Sequence, residues 1–237
     1  MAQAQPFAGR NRLLRAMAPE DFTRLQPHLE PVDLLNQQSL IKPNARTEHL
    51  YFMESGISSI TAEGSNGRVE VGLIGREGLV GATPVLLGSD RVPHDHFVQV
   101  PGTALRIRAE VVSTALDESP ALRKLLLRYV QTEMVQVRQT AYINATLNIE
   151  ARLARWLLMC HDRVDGDELL LKHEFLSMML GVQRSGVTLA MQQLEGAGRI
   201  RAKRGRITVL DRELLEEVAD GGYGPPEAEY ARLIEGA

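Results

Sequence analysis

The residues best suited to chemistry lie between positions 180 and 210. In Leu180-Gly181-Val182-Gln183-Arg184-Ser185-Gly186-Val187-Thr188-Leu189-Ala190-Met191-Gln192-Gln193-Leu194, the apolar Val187, Met191 and Leu194 recur at spacings of four and three. That spacing puts them on one face of a helix. The opposite face offers Gln183, Arg184, Ser185, Thr188, Gln192 and, past the helix end, Arg199. Such a face suits the major groove of duplex DNA, which is about 12 Å wide and admits one helix. An arginine at the start of the helix can donate two bonds to a guanine edge. Upstream, Phe175, Leu176 and Met179 give a short apolar helix, and Gly181 permits a tight turn between the two. This is a helix-turn-helix pattern, although an ordinary helical hairpin shares it.

The next residues strengthen the first reading. Ile200 and Ala202 alternate with Arg201 and Lys203, Arg204-Gly205 supplies a turn, and Ile207 and Val209 return. A basic β-hairpin wing beside the helix pair would set its cations on phosphates, which gives affinity without sequence information. Residues 172–206 hold seven basic against two acidic residues. The whole chain of 237 residues has a formal charge of −3 and would by itself argue against nucleic acid. Residues 1–147 are balanced, with 15 of each sign, and residues 211–237 are net −6. Potentials decay over a Debye length of about 8 Å, so the local charge decides what binds. The bland alternative is a solvated basic face.

Other elements must position this face. Residues 31–108 contain short apolar runs, Leu50–Met53, Ile57–Ile60, Val69–Ile74, Phe97–Val100 and Ala104–Ile107, separated by glycine or proline. Asn66-Gly67 is a hairpin signal, and evenly spaced strands suggest a sandwich or barrel. Farther on, Leu127, Val130, Met134, Val137 and Ala141 form an a/d seam over about two heptads. Leu122, Leu125, Leu126 and Tyr129 make a second apolar face beside it. One face can meet the chain's own β domain and the other a partner chain; a monomeric core helix is the alternative. Ile149, Leu153, Trp156, Leu157 and Cys160 mark another helix. In that stripe Cys160, the lone cysteine, reads as an inert core thiol. It excludes an intramolecular disulfide, a multi-cysteine zinc site and an iron–sulfur cluster. No run reaches the roughly 18 apolar residues of a membrane span, and Met1–Met17 lacks the apolar core of a secretory signal. A cytoplasmic protein with no membrane partner is expected.

In this order the motifs resemble the Crp/Fnr family of bacterial transcription regulators. The resemblance is carried by Tyr51-Phe52-Met53-Glu54-Ser55-Gly56, Val71-Gly72-Leu73-Ile74-Gly75-Arg76-Glu77-Gly78, Leu180–Val187 and the stretch from Leu194-Glu195 to Ile207. It implies an α+β chain: an N-terminal double-stranded β-helix (jelly roll) of the cyclic-nucleotide-binding type, a long dimerisation helix and a C-terminal winged helix-turn-helix domain. Expected boundaries are 1–118 for the sensor, 119–147 for the helix, 148–215 for the DNA-binding domain and 216–237 for an acidic extension. The resemblance further implies a homodimer, palindromic double-stranded DNA, contact with RNA polymerase and no enzymatic activity.

The departures bear on the ligand. Where the family's nucleotide-binding members carry a Gly-Glu pair, this chain reads Gly75-Arg76, with the acid displaced to Glu77. The phosphate pair falls near His94-Asp95, and Asp95 would repel a phosphate, with Arg91 the nearest alternative cation. Gly75, Arg76, Glu77, Arg91 and His94 are therefore the candidate ligand residues. The substitutions argue against cyclic AMP and leave the effector unknown. Two readings from other classes compete. One is a metal-dependent cupin-like enzyme using His94 and His96 on one strand face, although no acidic ligand follows them. The other is a nucleotide-responsive module without DNA function. The tail contains a helix candidate at Asp211–Val218, broken by Gly221–Pro226, and reads as disordered beyond it.

Overall fold

The computed structural model describes residues 7–65, 67–171 and 173–236. Asn66, half of the expected hairpin turn, and Lys172, one of the basic residues counted above, lie outside the described residues. The described residues form two compact units, one within Met1–Ile60, Ile74–Met134 and Glu229–Ala237, the other within Thr61–Leu73 and Val135–Ala228.

The chain opens with α1 (Arg12–Arg15) and α2 (Pro19–Leu25), the latter with proline in its first turn as expected. Eight strands follow: β1 (Glu30–Leu34), β2 (Ser39–Ile41), β3 (His49–Met53), β4 (Ile57–Gly64), β5 (Gly67–Ile74), β6 (Leu79–Val80), β7 (Asp95–Val100) and β8 (Gly102–Arg108), with the short α3 (Ala82–Leu86) after β6. They make two four-stranded sheets, ordered β1-β8-β3-β6 and β2-β7-β4-β5. This is the jelly roll that the family resemblance implied. Strand β3 shows why both of its faces are apolar. Leu50 and Phe52 join a cluster with Leu13, Leu14, Leu25, Val112, Leu122 and Leu126, while Met53 joins Leu34, Ile41, Ile74, Val80 and Val98 in a second cluster. Alternate residues of a strand point to opposite faces, so one strand serves two cores.

Asn11 ties α1 to this framework. It is fully buried, donates from Nδ2 to the carbonyls of Met53 and Gly78 (both 2.9 Å), and caps α1 by accepting from the Leu14 amide at 2.9 Å. Asn11→Ala removes all three bonds and leaves the Gly78 carbonyl with only the longer bond from the Met53 amide, at 3.3 Å. A loss of about 2–4 kcal/mol is expected in urea unfolding, and a loss below about 1 kcal/mol would show that water replaces them.

Two helices follow the sheets, α4 (Ala109–Glu118) and the long α5 (Pro120–Thr146). The second unit contains α6 (Ile149–His161), β9 (Glu168–Leu169), α7 (His173–Leu180), α8 (Arg184–Gly196), β10 (Ile200–Lys203), β11 (Arg206–Val209) and α9 (Arg212–Val218). In α6 the buried Arg155 donates to the Gly222 carbonyl at 3.0 Å and to the Thr140 hydroxyl at 3.2 Å; burial lowers its pKa to about 10. Cys160 is fully buried and burial pushes its thiol well up, in keeping with an inert thiol.

The tail departs from the expectation of disorder. Helix α10 (Pro225–Tyr230) and a wide helical turn at Ala231–Glu235 are formed. Tyr230 and Ile234 are buried in the cluster of Leu13 and Leu126, and the Tyr230 hydroxyl donates to the Glu77 carbonyl at 2.7 Å. Counting its acids concealed these two anchors.

Candidate functional site

Helices α7 and α8 are joined through Gly181, whose φ of 61° lies in the left-handed region. A Cβ there would also meet the Val69 side chain at 3.2 Å. The Arg152 guanidinium donates to the Leu180 carbonyl and ties the end of α7 to α6. In α8 the buried residues are Val187, Ala190, Met191 and Leu194, which matches the apolar spacing. Gly186 sits where α8 approaches α6, because a Cβ on it would lie 2.8 Å from the Ile149 Cδ1. With that face packed, Gln183, Arg184, Ser185, Thr188 and Gln192 are exposed. The Thr188 hydroxyl donates to the Arg184 carbonyl at 2.9 Å.

Strands β10 and β11 pair in antiparallel register from Ile200↔Val209 to Lys203↔Arg206, with Arg204-Gly205 as the two-residue turn. Gly205 has a φ of 76°, which a Cβ-bearing residue adopts only under strain. Ile200, Ile207 and Val209 are buried, whereas Arg201, Lys203 and Arg204 are exposed. Strand β9 adds a third strand beside β11, an element absent from the sequence reading. Glu195 of α8 accepts the Ala202 amide at 2.9 Å and so fixes the wing to that helix. Arg199 departs from expectation. It is half-buried and its guanidinium lies 3.6 Å from Glu150 of α6, so it does not share the exposed face of the other cations. The peptide at Arg199 also closes the wing by accepting amides from Leu210 and Asp211.

Residues 151–218 match the Crp-like helix-turn-helix domain family, and residues 31–119 match the cyclic nucleotide-binding domain family. The chain belongs to the Crp/Fnr family of transcription regulators. It is 26% identical to the global nitrogen regulator of Nostoc sp. (strain PCC 7120) over 73% of this chain and 81% of that protein. Its fold is shared by a Crp/Fnr-family regulator of Eubacterium rectale, with a TM-score of 0.69 at 16% identity over 88% of this chain and 98% of that one. FixK2 of Bradyrhizobium japonicum gives a TM-score of 0.69 at 15% identity, over 80% and 96% of the two chains.

In this regulator the five candidate ligand residues occupy different surroundings. Gly75 donates its amide to the Glu77 carboxylate at 3.0 Å, and the Arg76 carbonyl accepts the Arg12 amide at 2.7 Å. Arg91 is exposed and pairs with its neighbour Asp90 at 2.8 Å, and half-buried His94 precedes β7. The metal-dependent cupin reading finds no support. His94 immediately precedes the strand that carries His96. His96 is buried, and burial followed by the charge of His94 lowers its pKa to about 4. Among the described residues no group of three or more His, Cys, Asp or Glu is placed to hold a metal. No helix among them is long and apolar enough to cross a membrane.

Along α5, Leu127, Met134 and Val137 are 41%, 40% and 40% exposed, and Ala141 is exposed. Val130 is the exception in the seam at 3%. It lies beside Tyr129, on the side of the helix that also buries Leu122 and Leu126.

Glu133, one position from the exposed seam, is a group that sequence periodicity did not mark. Its carboxylate accepts from the Thr83 hydroxyl at 2.7 Å and the Tyr129 hydroxyl at 3.3 Å. Burial raises its pKa to about 7, with the nearby Glu77 charge adding to the rise. The folded state therefore holds a proton that the unfolded state releases near pH 4.5, so stability falls as pH rises from about 4.5 to 7. Glu133→Gln should remove about 1–3 kcal/mol of that fall, read as the difference between wild-type and variant urea midpoints at pH 5 and pH 8. Parallel pH profiles would contradict this.

Proposed function

We propose that the chain is a cytoplasmic, sequence-specific regulator that binds palindromic duplex DNA as a homodimer. The observation that carries this reading is the exposed polar face of α8, held by a buried apolar face and flanked by an exposed basic hairpin. Gln183, Arg184, Ser185, Thr188 and Gln192 read base edges in the major groove, and Arg201, Lys203 and Arg204 sit on phosphates. Arg199 acts from behind, through Glu150, to hold the wing. Leu127, Met134, Val137 and Ala141 meet the same residues of a second chain across a two-fold axis. Residues 1–118 act as the sensor, 119–147 as the dimerisation helix and 148–215 as the reader, with RNA polymerase as the downstream partner. A ligand at the β-roll shifts the spacing of the two reading helices to the extent that it binds one arrangement more tightly. The chain performs no catalysis.

Selection of bound sequences from a random duplex library tests the proposal. A motif with two-fold symmetry is expected, and the absence of any enriched motif would sink it. The wing has its own test. Lys203→Ala with Arg204→Ala should weaken binding about equally for all sequences and flatten the salt slope by roughly 0.9 per lost phosphate contact. An unchanged slope would place the wing off the phosphates.

A further inference from the structure

On the outward face of α8 a large apolar side chain stands in water. Leu189 is 58% exposed, although its neighbours one helical turn away, Ser185 before it and Gln192 and Gln193 after it, are all polar. At about 100° per residue, the buried Val187, Ala190, Met191 and Leu194 gather on one side of the helix. Ser185, Leu189 and Gln192 lie within about 30° of the direction opposite to them. Leu189 therefore occupies the middle of the outward face and not its margin, where it could fold back onto the domain.

The major groove offers one apolar feature that differs between base pairs, the C5-methyl of thymine. The other groups that distinguish the pairs there are hydrogen-bond donors and acceptors, with which a leucine makes no bond. The geometry of α8 keeps Leu189 available for a methyl. Helical Cα–Cβ bonds tilt toward the N-terminus, so the side chain leans over position 185, where serine is too small to cover it. The same lean carries it toward the end of the helix that reaches base edges in a groove-bound helix. The flanking hairpin favours DNA over an apolar protein surface as the occupant, because the exposed Arg201, Lys203 and Arg204 suit a polyanion. Thr188, the neighbouring exposed residue that also carries a methyl, commits its hydroxyl to the Arg184 carbonyl at 2.9 Å.

We propose that Leu189 is a specificity-determining residue that selects thymine, once in each half-site, by packing on the C5-methyl. The inference rests on the reading of α8 as the base-reading helix and names one of the bases it selects. Leu189 lies five residues beyond Arg184, about 7.5 Å along the helix at 1.5 Å per residue. With base pairs stacked about 3.4 Å apart, the thymine is expected within about two base pairs of the position that Arg184 reads.

Deoxyuridine in place of thymine in the selected duplex is the test, because the exchange removes the C5-methyl and leaves every donor and acceptor in place. Made at both symmetric copies of that position, it should weaken binding of the full chain roughly tenfold or more, about fourfold for each methyl. In Leu189→Ala the same exchange should change affinity by less than about twofold. Leu189 is 58% exposed, so this variant should melt with the parent and loss of the effect would not be loss of the fold. Thr188→Ser, which removes the neighbouring methyl and keeps the hydroxyl, should retain the full effect. A symmetric motif in which no thymine responds to the exchange, a response that survives in Leu189→Ala, or a response lost in Thr188→Ser would each overturn this inference and leave the reading of α8 standing. Failure to select any motif would remove that reading and this inference with it.

Discussion

Met134→Glu with Val137→Glu is expected to convert the proposed homodimer to a folded monomer by light scattering. Both side chains are 40% exposed in the single chain, so the carboxylates are solvated there and cost the isolated fold little. A two-fold interface presents each residue to the same patch of its copy, so two substitutions place four carboxylates in one desolvated seam. The effective cost of taking each such charge out of water is several kcal/mol. A monomer reaches only one half-site, and specific affinity should fall by at least about 10³-fold as roughly half of the contacts are lost. Unchanged helicity and melting temperature would show that the chain still folds. Val130→Glu provides the contrast, because that side chain is 3% exposed and the substitution should unfold the chain instead. A dimer persisting in the double variant would remove the seam from the interface.

The apolar seam was legible because heptad spacing is a local property, whereas the inward turn of Val130 depends on what lies under the helix. The same distinction runs through the rest of the chain. Val187, Met191 and Leu194 foretold the buried face of α8 because each helical turn repeats the pattern. The wing was legible because Arg204-Gly205 interrupts an alternation of two. Strands β1, β2 and β6 carried no such mark. Glu30-Pro31-Val32-Asp33-Leu34 pairs with β8 residue by residue, but only one of its five residues is fully buried, so alternation never develops. Strand β6 has two residues, too few to show a period.

Long-range pairings were the hardest to see. Arg199 was assigned to the exposed cations on its type and position, and its pairing with Glu150 links residues 49 positions apart. In the first unit, the Gly75-Arg76-Glu77 turn was read against a ligand. The structure sets Arg76 beside Arg12 and bonds the Glu77 carbonyl to Tyr230, partners that lie in segments the strand pattern says nothing about.

Arg184→Ala should relax discrimination at one base position in each half-site while sparing binding to unrelated DNA. Arg184 is the first residue of α8, preceded by Gln183 in an extended conformation, and both are exposed. A groove-bound helix brings its N-terminal residues to the base edges, which is where a fork of two parallel donors can engage guanine. Loss of such a pair is worth about 1–3 kcal/mol per half-site, so about 2–6 kcal/mol for a symmetric dimer. Alanine is a good helix former and the position is exposed, so stability should move by less than about 0.5 kcal/mol. The effect therefore separates from that of the wing. Removing Lys203 and Arg204 lowers affinity for every sequence alike, while removing Arg184 lowers it for the cognate site and flattens the selected motif at one symmetric pair of positions. Ser185 and the 58%-exposed Leu189 stand on the same solvent side, and their small and apolar character directs the neighbouring readout toward contacts other than a charged fork. Selection with the Arg184→Ala protein that returns the wild-type motif at full information would take α8 out of the reading role.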